Sequence, residues 1–272
     1  MSSSVVNASN PAGLNRGQGS PAEVIVIVAM EEELAPFLQL AESVAEPVQV
    51  GNSIHRASVI NGHNILLVHG GIGLVNASGA ATSALLLTQQ KNDGASPPLV
   101  ISAGSAGGLG DDVKVGDVVI GTDTINADAD ARAFGYQLGQ VPGMPVSYPL
   151  PEALMALIDA TPKSLASAGE GMVNTVHHGL MVSSYKFVGH DRAPVIKDRF
   201  DGVLSTDMES SAIAQTCHVY GAPFVAIRGI SDLCGPASDA DFLTHVDDAA
   251  ERSAQIVLAV IDTWFTAGSP RP

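Results

Sequence analysis

Carboxylates placed just past apolar runs are the residues of this sequence best suited to acid and base chemistry. Three glutamates stand in the run AMEEEL, residues 29–34, directly behind the apolar run VIVIV. Asp232 lies just past the apolar run FVAI and precedes a Gly-Pro loop. In an apolar crevice the pKa of an aspartate rises above its reference of about 3.9, so Asp232 could deliver a proton at neutral pH. The alternative is that Asp232 caps a helix beginning near Asp239.

A second pair of acids, Asp207 and Glu209, brackets Met208 in the segment TDMESSAIA. This segment lies where a predicted strand passes into a predicted helix, so both acids could be caps that interact favourably with the helix dipole. Capping does not explain Met208. A thioether beside a carboxylate forms a surface that is half apolar and half hydrogen-bond acceptor, which suits one face of a ribose and its 2′- and 3′-hydroxyls.

Two glycine-rich segments could offer backbone groups to a ligand. The segment GGIGLVNASG, residues 70–79, matches a dinucleotide-binding loop only weakly, because Asn76 takes the place of the third glycine. We therefore interpret its glycines as tight-turn residues that serve helix and strand packing. The segment SAGSAGGLG, residues 102–110, has Lys114 as its nearest basic residue. It favours a neutral, hydroxyl-rich ligand such as a sugar over a phosphate, unless it is a purely structural turn.

The histidines and cysteines predict no metal site. None of the eight histidines has H-x-x-x-H or H-E-x-x-H spacing, and neither Cys217 nor Cys234 belongs to a C-x-x-C pattern. Two cysteines are too few for a disulfide framework, so we expect two reduced and mostly buried thiols.

The composition favours small-molecule ligands over nucleic acid or membranes. Of 272 residues 46% are apolar, and 13 basic against 28 acidic side chains give a formal charge of −15. Such a field repels nucleic acid and does not attract anionic substrates, which leaves neutral or cationic molecules. No apolar run approaches the roughly 18 residues that span a bilayer. Residues 1–22 have no signal-peptide pattern, so we expect a disordered leader and a soluble, cytoplasmic protein.

Short β-branched runs alternate with longer Ala- and Leu-rich segments, a pattern typical of a single α/β domain with a largely parallel sheet. We expect this domain over residues 23–267, followed by a tail over residues 268–272. Polar and glycine-rich segments follow the predicted strand ends, where parallel sheets bind ligands, so they should border one pocket. Strands are predicted over residues 23–29, 55–60, 64–69, 99–103, 117–122, 179–183, 202–205 and 224–228. Helices are predicted over residues 32–41, 74–90, 152–166, 191–199, 209–220 and 239–267.

Over nearly all of residues 23–265 the sequence resembles the methylthioadenosine/S-adenosylhomocysteine nucleosidases of the purine nucleoside phosphorylase superfamily. The resemblance lies in the ordered motifs AMEEEL, GGIG, SAGSAGGL, VKVGDVVI, DADARAFGYQLGQVPG, GLMVSSYKFV, DMESSAIA and PFVAIRGISD. It implies a single nucleoside phosphorylase-like α/β domain with helices around a mixed, partly closed sheet. It also implies a homodimer that hydrolyses the N-glycosidic bond of adenine thionucleosides without a cofactor, as in methionine salvage.

The resemblance assigns two carboxylates to the chemistry. Glu33, the third of its run, would orient and deprotonate the attacking water, while Glu31 and Glu32 would be solvated acids at a helix start. Asp232 would protonate N7 of the leaving purine. Breaking the bond from C1′ to a purine develops positive charge on the sugar and negative charge on the base, so one ionised and one protonated carboxyl group agree with this division.

The resemblance assigns the remaining site residues to substrate binding. Met208 and Glu209 would hold the ribose. Close to them would lie Ser105 and the backbone of Ala106 and Gly107. Phe187 would stack on the base and the Val188 backbone would read its edge. A loop of the partner subunit, carrying Phe134 and Pro142, would close the 5′ pocket.

A phosphorylase of the same superfamily is the main alternative, and it would need arginine to bind phosphate. Ser102 stands where such phosphorylases tend to carry arginine, and the first strand is followed by acids, so hydrolysis is favoured. Four residues depart from the nucleosidase pattern and leave the substrate open to a futalosine-type or broader purine nucleosidase: Ala127, Tyr185, Lys186 and Asp207. A non-catalytic nucleoside-binding protein is the alternative of another class, but such a protein would be expected to have lost Glu33 or Asp232.

Overall fold

The computed structural model describes residues 22–92, 96–161 and 175–270. Residues 1–21 of the predicted leader lie outside this range, as do the last two residues of the predicted tail, and both predictions stand untested. Within the described residues, no helix combines the length and the apolar character needed to cross a membrane.

The described residues form ten strands and six α-helices, close to the predicted order. The strands are β1 (Val24–Val28), β2 (Ser43–Val44), β3 (Val48–Val50), β4 (Ser53–Ile60), β5 (His63–His69), β6 (Leu99–Gly108), β7 (Val118–Asn126), β8 (Val176–Ser183), β9 (Val203–Asp207) and β10 (Phe224–Asp232). The helices are α1 (Glu31–Leu40), α2 (Leu74–Asn92), α3 (Glu152–Ala160), α4 (Ala193–Arg199), α5 (Ser210–Tyr220) and α6 (Ser238–Thr266). The short strands β2 and β3 were not predicted.

One sheet contains all ten described strands, and part of it closes into a ring. Five strands pair in a cycle, in the order β6, β10, β7, β8 and β9, with β9 returning to β6. The sheet also continues from the first residues of β6 through β1, β5 and β4 to β2. β6 is parallel to β1 and β10 but antiparallel to β9. The predicted single α/β domain with a mixed, partly closed sheet is confirmed.

Strand β1 shows why the sheet has helices on both faces. All five of its residues are buried, which is the pattern of a strand covered on both sides. Because side chains alternate across a strand, Val24, Val26 and Val28 pack into one core while Ile25 and Ile27 pack into the other. The first core includes residues of α1, α3 and α6, and the second includes residues of α2 and α5.

The structure corrects several predicted element ends, among them those of β6 and α3. The segment SAGSAGG was predicted to follow its strand, but it continues β6 as far as Gly108, because glycine lets a strand pass close to other atoms where no side chain would fit. Helix α3 ends at Ala160 instead of reaching residue 166, since the backbone of Thr161 is extended, with φ −72° and ψ 134°. Thr161 precedes a proline in the sequence, and the α region is disfavoured before proline. The predicted helix beyond Thr161 lies outside the described residues.

Candidate active site

A cavity of about 190 Å³ opens at the carboxyl ends of β1, β6, β9 and β10. Ligands of open α/β sheets bind in this position, because chain reversals there leave backbone and side-chain groups free. The cavity brings together nine of the predicted site residues: Glu33, Ser105, Ala106, Gly107, Phe187, Val188, Met208, Glu209 and Asp232. Also in its lining, though not predicted as site residues, are Ala29, Met30, Ile72, Lys186, Thr206, Asp207, Ser231, Cys234 and Phe242.

Phe134 and Pro142 do not line this cavity. Phe134 belongs to a short 3-10 turn, Arg132–Phe134, and its side chain is 83% exposed. Pro142 is exposed as well. Their predicted place in the cavity of a partner subunit therefore stays a prediction.

Four donors fix the carboxylate of Glu33. Glu33 lies in the first turn of α1 and is 2% exposed, whereas Glu31 and Glu32 face solvent. Its Oε2 accepts hydrogen bonds from the Ala29 and Met30 backbone N–H groups at 2.9 and 3.2 Å. Its Oε1 accepts from the Ser105 backbone N–H at 2.8 Å and from the hydroxyl at 2.9 Å. A carboxylate held this firmly at a cavity wall is suited to orient a water and accept its proton.

Arg228 is a buried cation beside the cavity, and the sequence interpretation missed it. It is 1% exposed, and its Nε lies 3.1 Å from Asp207 Oδ2, in ion-pair contact without hydrogen-bond geometry. Its Nη2 lies 3.5 Å from Glu209 Oε2 and its Nη1 lies 4.0 Å from Glu33 Oε1. Burial alone would lower the pKa of Arg228, but the three carboxylates raise it above its ordinary value. The guanidinium thus stays charged and balances acids that are costly to bury alone.

Arg228 carried one signal that could have identified it. An arginine in the run FVAIRGI interrupts an otherwise apolar strand, and a fully buried arginine needs carboxylate partners. The predicted strand ended at Arg228, and no partner was sought for the residue. β10 continues to Asp232, and the Arg228 Nη2 donates a 2.6 Å hydrogen bond to the Ser102 hydroxyl on β6.

The structure separates the roles of the two acids around Met208. Asp207 caps α5, because its Oδ1 accepts from the Glu209 and Ser210 backbone N–H groups at 3.2 Å. The same Oδ1 accepts a 2.5 Å hydrogen bond from the Ser183 hydroxyl. The capping interpretation therefore holds for Asp207, and its carboxylate is committed to the helix start and to the guanidinium behind it.

Glu209 occupies the N-cap position of α5 but makes no cap bond with its side chain. Its Oε1 accepts a 2.9 Å hydrogen bond from the Gly73 backbone N–H. Burial raises the pKa of Glu209 to about 7, the neighbouring carboxylates Asp207 and Glu33 add to the rise, and Arg228 opposes it. Glu209 thus presents a carboxyl group to the cavity that changes charge near neutral pH.

Asp232 is a buried acid whose pKa is raised above its ordinary value. It is 2% exposed, and burial raises its pKa, against the lowering effect of its hydrogen bonds. Its Oδ1 accepts from the Cys234 backbone N–H at 2.9 Å, and its Oδ2 accepts from the Ser231 hydroxyl at 3.0 Å. Helix α6 begins at Ser238 with Ala237 as its N-cap residue, so the alternative that Asp232 caps this helix is wrong.

The two thiols are free and buried. Cys217 packs in the core between the sheet and helices α2 and α5. Cys234 lines the cavity, and a Cβ added to Gly107 would lie 2.5 Å from its sulfur. The glycine of β6 therefore makes room for the thiol beside Asp232.

Comparisons with known proteins agree with this geometry. Residues 23–262 match the family model of the phosphorylase superfamily. A 5′-methylthioadenosine/S-adenosylhomocysteine nucleosidase of Chromohalobacter salexigens is 38% identical over 248 residues, which is 90% of this chain and 99% of the relative. One of Bacillus cereus is 37% identical over 240 residues, 88% of this chain and 98% of the relative.

Solved structures give the same picture. The crystal structure of the nucleosidase of that name from Neisseria meningitidis, in complex with methylthio-immucillin-A, has a TM-score of 0.78 and 36% identity. The match covers 88% of this chain and 98% of that one. A futalosine hydrolase of Helicobacter pylori has a TM-score of 0.76, but at 24% identity over 89% of this chain and 98% of that one it shows a shared fold only.

Proposed function

This chain belongs to the phosphorylase superfamily and, within it, to the methylthioadenosine/S-adenosylhomocysteine nucleosidases, and on that premise we propose that it hydrolyses adenine thionucleosides. The bond broken is the N-glycosidic bond, and the products are adenine and a ribose derivative. One observation carries the proposal. A carboxylate fixed by four donors, Glu33, and an acid with a raised pKa, Asp232, line the same cavity.

The two carboxyl groups divide the charge that the reaction creates. As the bond from C1′ to the purine breaks, the sugar becomes positive and the base negative. Asp232 gives its proton to N7 of the departing base, and Glu33 takes a proton from the water that attacks C1′. The same division of a protonated and an ionised carboxyl group operates in glycosidases.

The rest of the lining provides subsites for the ribose and the base. Glu209 accepts hydrogen bonds from the 2′- or 3′-hydroxyl, Met208 packs on the sugar, and Ser105 lies beside Glu33. Phe187 stacks on the adenine and the Val188 backbone reads its edge. Phe242 lines the cavity and contacts Phe187 edge to face, with ring centroids 5.9 Å apart.

The 5′ side of the site is completed by a second copy of the chain. In this homodimer Phe134 and Pro142 reach the partner's cavity, which gives the 83% exposed ring of Phe134 a buried place. The dimer acts in the cytoplasm, in methionine salvage, with water as the second reactant and without a cofactor.

Phosphorolysis is less well supported by the charges of the site. A phosphate dianion needs a free arginine, but Arg228 is held by Asp207, Glu209 and Glu33. Four acids line the cavity, whereas Lys186 is the basic residue among the described residues of the lining. These acids would repel phosphate and favour a neutral nucleoside with water.

Product analysis tests the proposal. The protein is incubated with methylthioadenosine, S-adenosylhomocysteine, adenosine, inosine and futalosine, each with and without phosphate, and the released base is separated by chromatography. We expect adenine from the two thionucleosides at a rate that does not depend on phosphate. Base that appears only with phosphate, together with a sugar 1-phosphate, would show a phosphorylase instead. Preferential cleavage of futalosine or inosine would place the substrate outside the adenine thionucleosides.

A further inference from the structure

Tyr185 connects two segments that line the cavity, although no role above uses it. It lies between β8 and α4, in the segment that carries Phe187 and Val188, and its side chain is 49% exposed. Its ring lies against the turn between β5 and α2, where Ile72 lines the cavity. The residue therefore joins the proposed base subsite to a turn on a different part of the chain.

That turn supports the carboxylate of Glu209. The Gly73 N–H donates to Glu209 Oε1 at 2.9 Å, while Oε2 lies 3.5 Å from Arg228 Nη2. Gly73 has a φ of +101°, which residues with a side chain rarely adopt, so the direction of this N–H depends on a backbone conformation that favours glycine. One oxygen is thus held by the guanidinium and the other by the turn.

Tyr185 holds the turn by two contacts. The Val75 N–H belongs to the first turn of α2, where N–H groups have no acceptor within the helix, and it donates to the Tyr185 hydroxyl at 2.9 Å. The ring also packs closely on Gly73, since a Cβ added there would lie 3.3 Å from Tyr185 Cε1. The hydroxyl fixes one end of the turn and the ring covers the other.

The backbone of Tyr185 is itself anchored. Its N–H donates to Asp128 Oδ2 at 2.7 Å, and the Ser184 hydroxyl lies 3.1 Å from both oxygens of the same carboxylate. The Lys186 N–H donates to the Ser184 hydroxyl at 3.1 Å. The segment is therefore rigid where the ring projects from it, directly before Phe187.

We propose that Tyr185 is a positioning residue. It fixes the turn at Gly73, and this turn holds the carboxyl group of Glu209 where it can bind the ribose while the base occupies its own subsite. It acts through the turn, because Tyr185 itself is not part of the cavity lining. The inference rests on the proposed nucleoside hydrolysis and adds a residue to it. The hydroxyl and the ring contribute separately, so the two contacts can be removed one at a time.

The chemical consequence is a shift in how Glu209 titrates. The charged groups that face it are Arg228, which favours its anion, and Asp207 and Glu33, which disfavour it, on top of the effect of burial. The N–H of the turn is a further donor to the anion. When loss of Tyr185 loosens this bond, the pKa of Glu209 rises, and the acidic limb of kcat/KM moves to higher pH.

Two variants and a matched control test the inference. Tyr185→Phe removes only the hydroxyl, and we expect kcat/KM for methylthioadenosine to fall about two- to tenfold, the range of one neutral hydrogen bond. Tyr185→Ala also removes the ring and should lower kcat/KM further and move the acidic limb upward. Tyr220→Phe removes a tyrosine hydroxyl at the end of α5, away from the turn, and should leave both quantities unchanged.

Hydrogen exchange of the backbone amides over residues 70–76 in the free protein provides a readout that does not depend on catalytic activity. We expect faster exchange in both Tyr185 variants than in the wild type. Unchanged exchange in Tyr185→Ala, or faster exchange with wild-type kcat/KM and pH profile, would overturn the inference. If the wild type releases no base, the proposed hydrolysis fails by itself, and exchange still decides whether Tyr185 holds the turn.

Discussion

Gly104 on β6 makes the space that the carboxylate of Glu33 occupies. A Cβ added to Gly104 would lie 2.3 Å from Glu33 Oε1, far inside contact distance. Gly104 also has a φ of +130°, outside the usual range of L side chains. The position of Glu33, the proposed catalytic base, therefore depends on the lack of a side chain at Gly104 as much as on the hydrogen-bond donors of Glu33.

Gly104→Ala should displace Glu33 and reduce kcat about 100-fold, because a shift near 1 Å is enough to cost this much. We also expect the free energy of unfolding to fall by about 1–3 kcal/mol from backbone strain. Gly51→Ala is the control, since Gly51 has a positive φ of +62° with nothing within 4 Å of an added Cβ. Turnover and urea denaturation measure both effects. Wild-type kcat in Gly104→Ala would show that the position of Glu33 does not matter.

Glu33→Gln should lower kcat by about 10²–10⁴-fold, because an amide cannot take a proton from water. The free energy of unfolding should fall by about 1–3 kcal/mol, because the amide nitrogen cannot accept the two hydrogen bonds that one carboxylate oxygen accepts in the buried site. The neighbouring Glu32→Gln is a matched control, because Glu32 is exposed and should leave kcat unchanged. Equal rates in the two variants would remove Glu33 from the mechanism.

Arg228→Met should destabilise the protein by about 3–5 kcal/mol, because Asp207, Glu209 and Glu33 lose a buried counter-charge. Arg228→Lys keeps the charge but loses the planar fork that meets several groups, so an intermediate loss is expected. Urea denaturation at neutral pH measures both variants. An Arg228→Met protein as stable as the wild type would mean that the guanidinium does not balance these acids.

Glu209→Gln should change the pH dependence of stability. The pKa of Glu209 is raised from 4.5 to about 7 in the folded protein, so its neutral form contributes stability that is fully present below the unfolded pKa and lost as pH rises through about 7. The amide imitates the neutral acid. We expect similar unfolding free energies at pH 5 and a variant that is more stable by about 1–3 kcal/mol at pH 8.

Urea denaturation at both pH values provides the measurement for Glu209→Gln. Glu32→Gln again serves as the control, because Glu32 is exposed and lies outside the cavity lining. A wild type that gains stability relative to Glu209→Gln between pH 5 and pH 8 would contradict the raised pKa.

Mixing two inactive variants tests the proposed dimer. Phe134→Ala should lose activity because it removes a residue from the partner's site, and Glu33→Gln loses the base of its own site. A mixed dimer holds one site with both residues intact, so random reassociation should recover about a quarter of wild-type activity. Chromatography of the mixture checks the oligomeric state. No recovery from mixed dimers would place Phe134 in its own subunit's site or outside any site.

Most of the fold could be predicted from the sequence, because most helices and strands follow from local patterns of apolar and polar residues. The run VIVIV predicted a strand, and the structure places alternate residues of β1 in two cores. Glu209, the acid predicted to bind the ribose, lines the cavity and makes no cap bond with its side chain, and its role at the ribose stays a prediction. The short strands β2 and β3 lacked any such pattern, since two or three residues are too few to show alternation.

The parts that could not be predicted depend on contacts between distant segments. The glycines of β6 were predicted to follow their strand, as a ligand-binding segment or a structural turn, whereas they lie within the strand and Gly104 and Gly107 make room for Glu33 and Cys234. Arg228 was read as a strand end, because only the folded chain shows which acids surround it. Tyr185 was noted as a departure from a pattern, but its partner Val75 is 110 positions away.

The closed ring of strands has a consequence for how the protein is made. β10 completes the ring against β6, and Arg228 reaches Ser102 across 126 positions of the chain. Contacts of such long range form slowly, since a large loop must close before they can stabilise anything. A chain emerging from the ribosome therefore has neither Asp232 nor the guanidinium that balances its acids until its last strand has been synthesised. We expect catalytic competence to be the last property that the folding chain acquires.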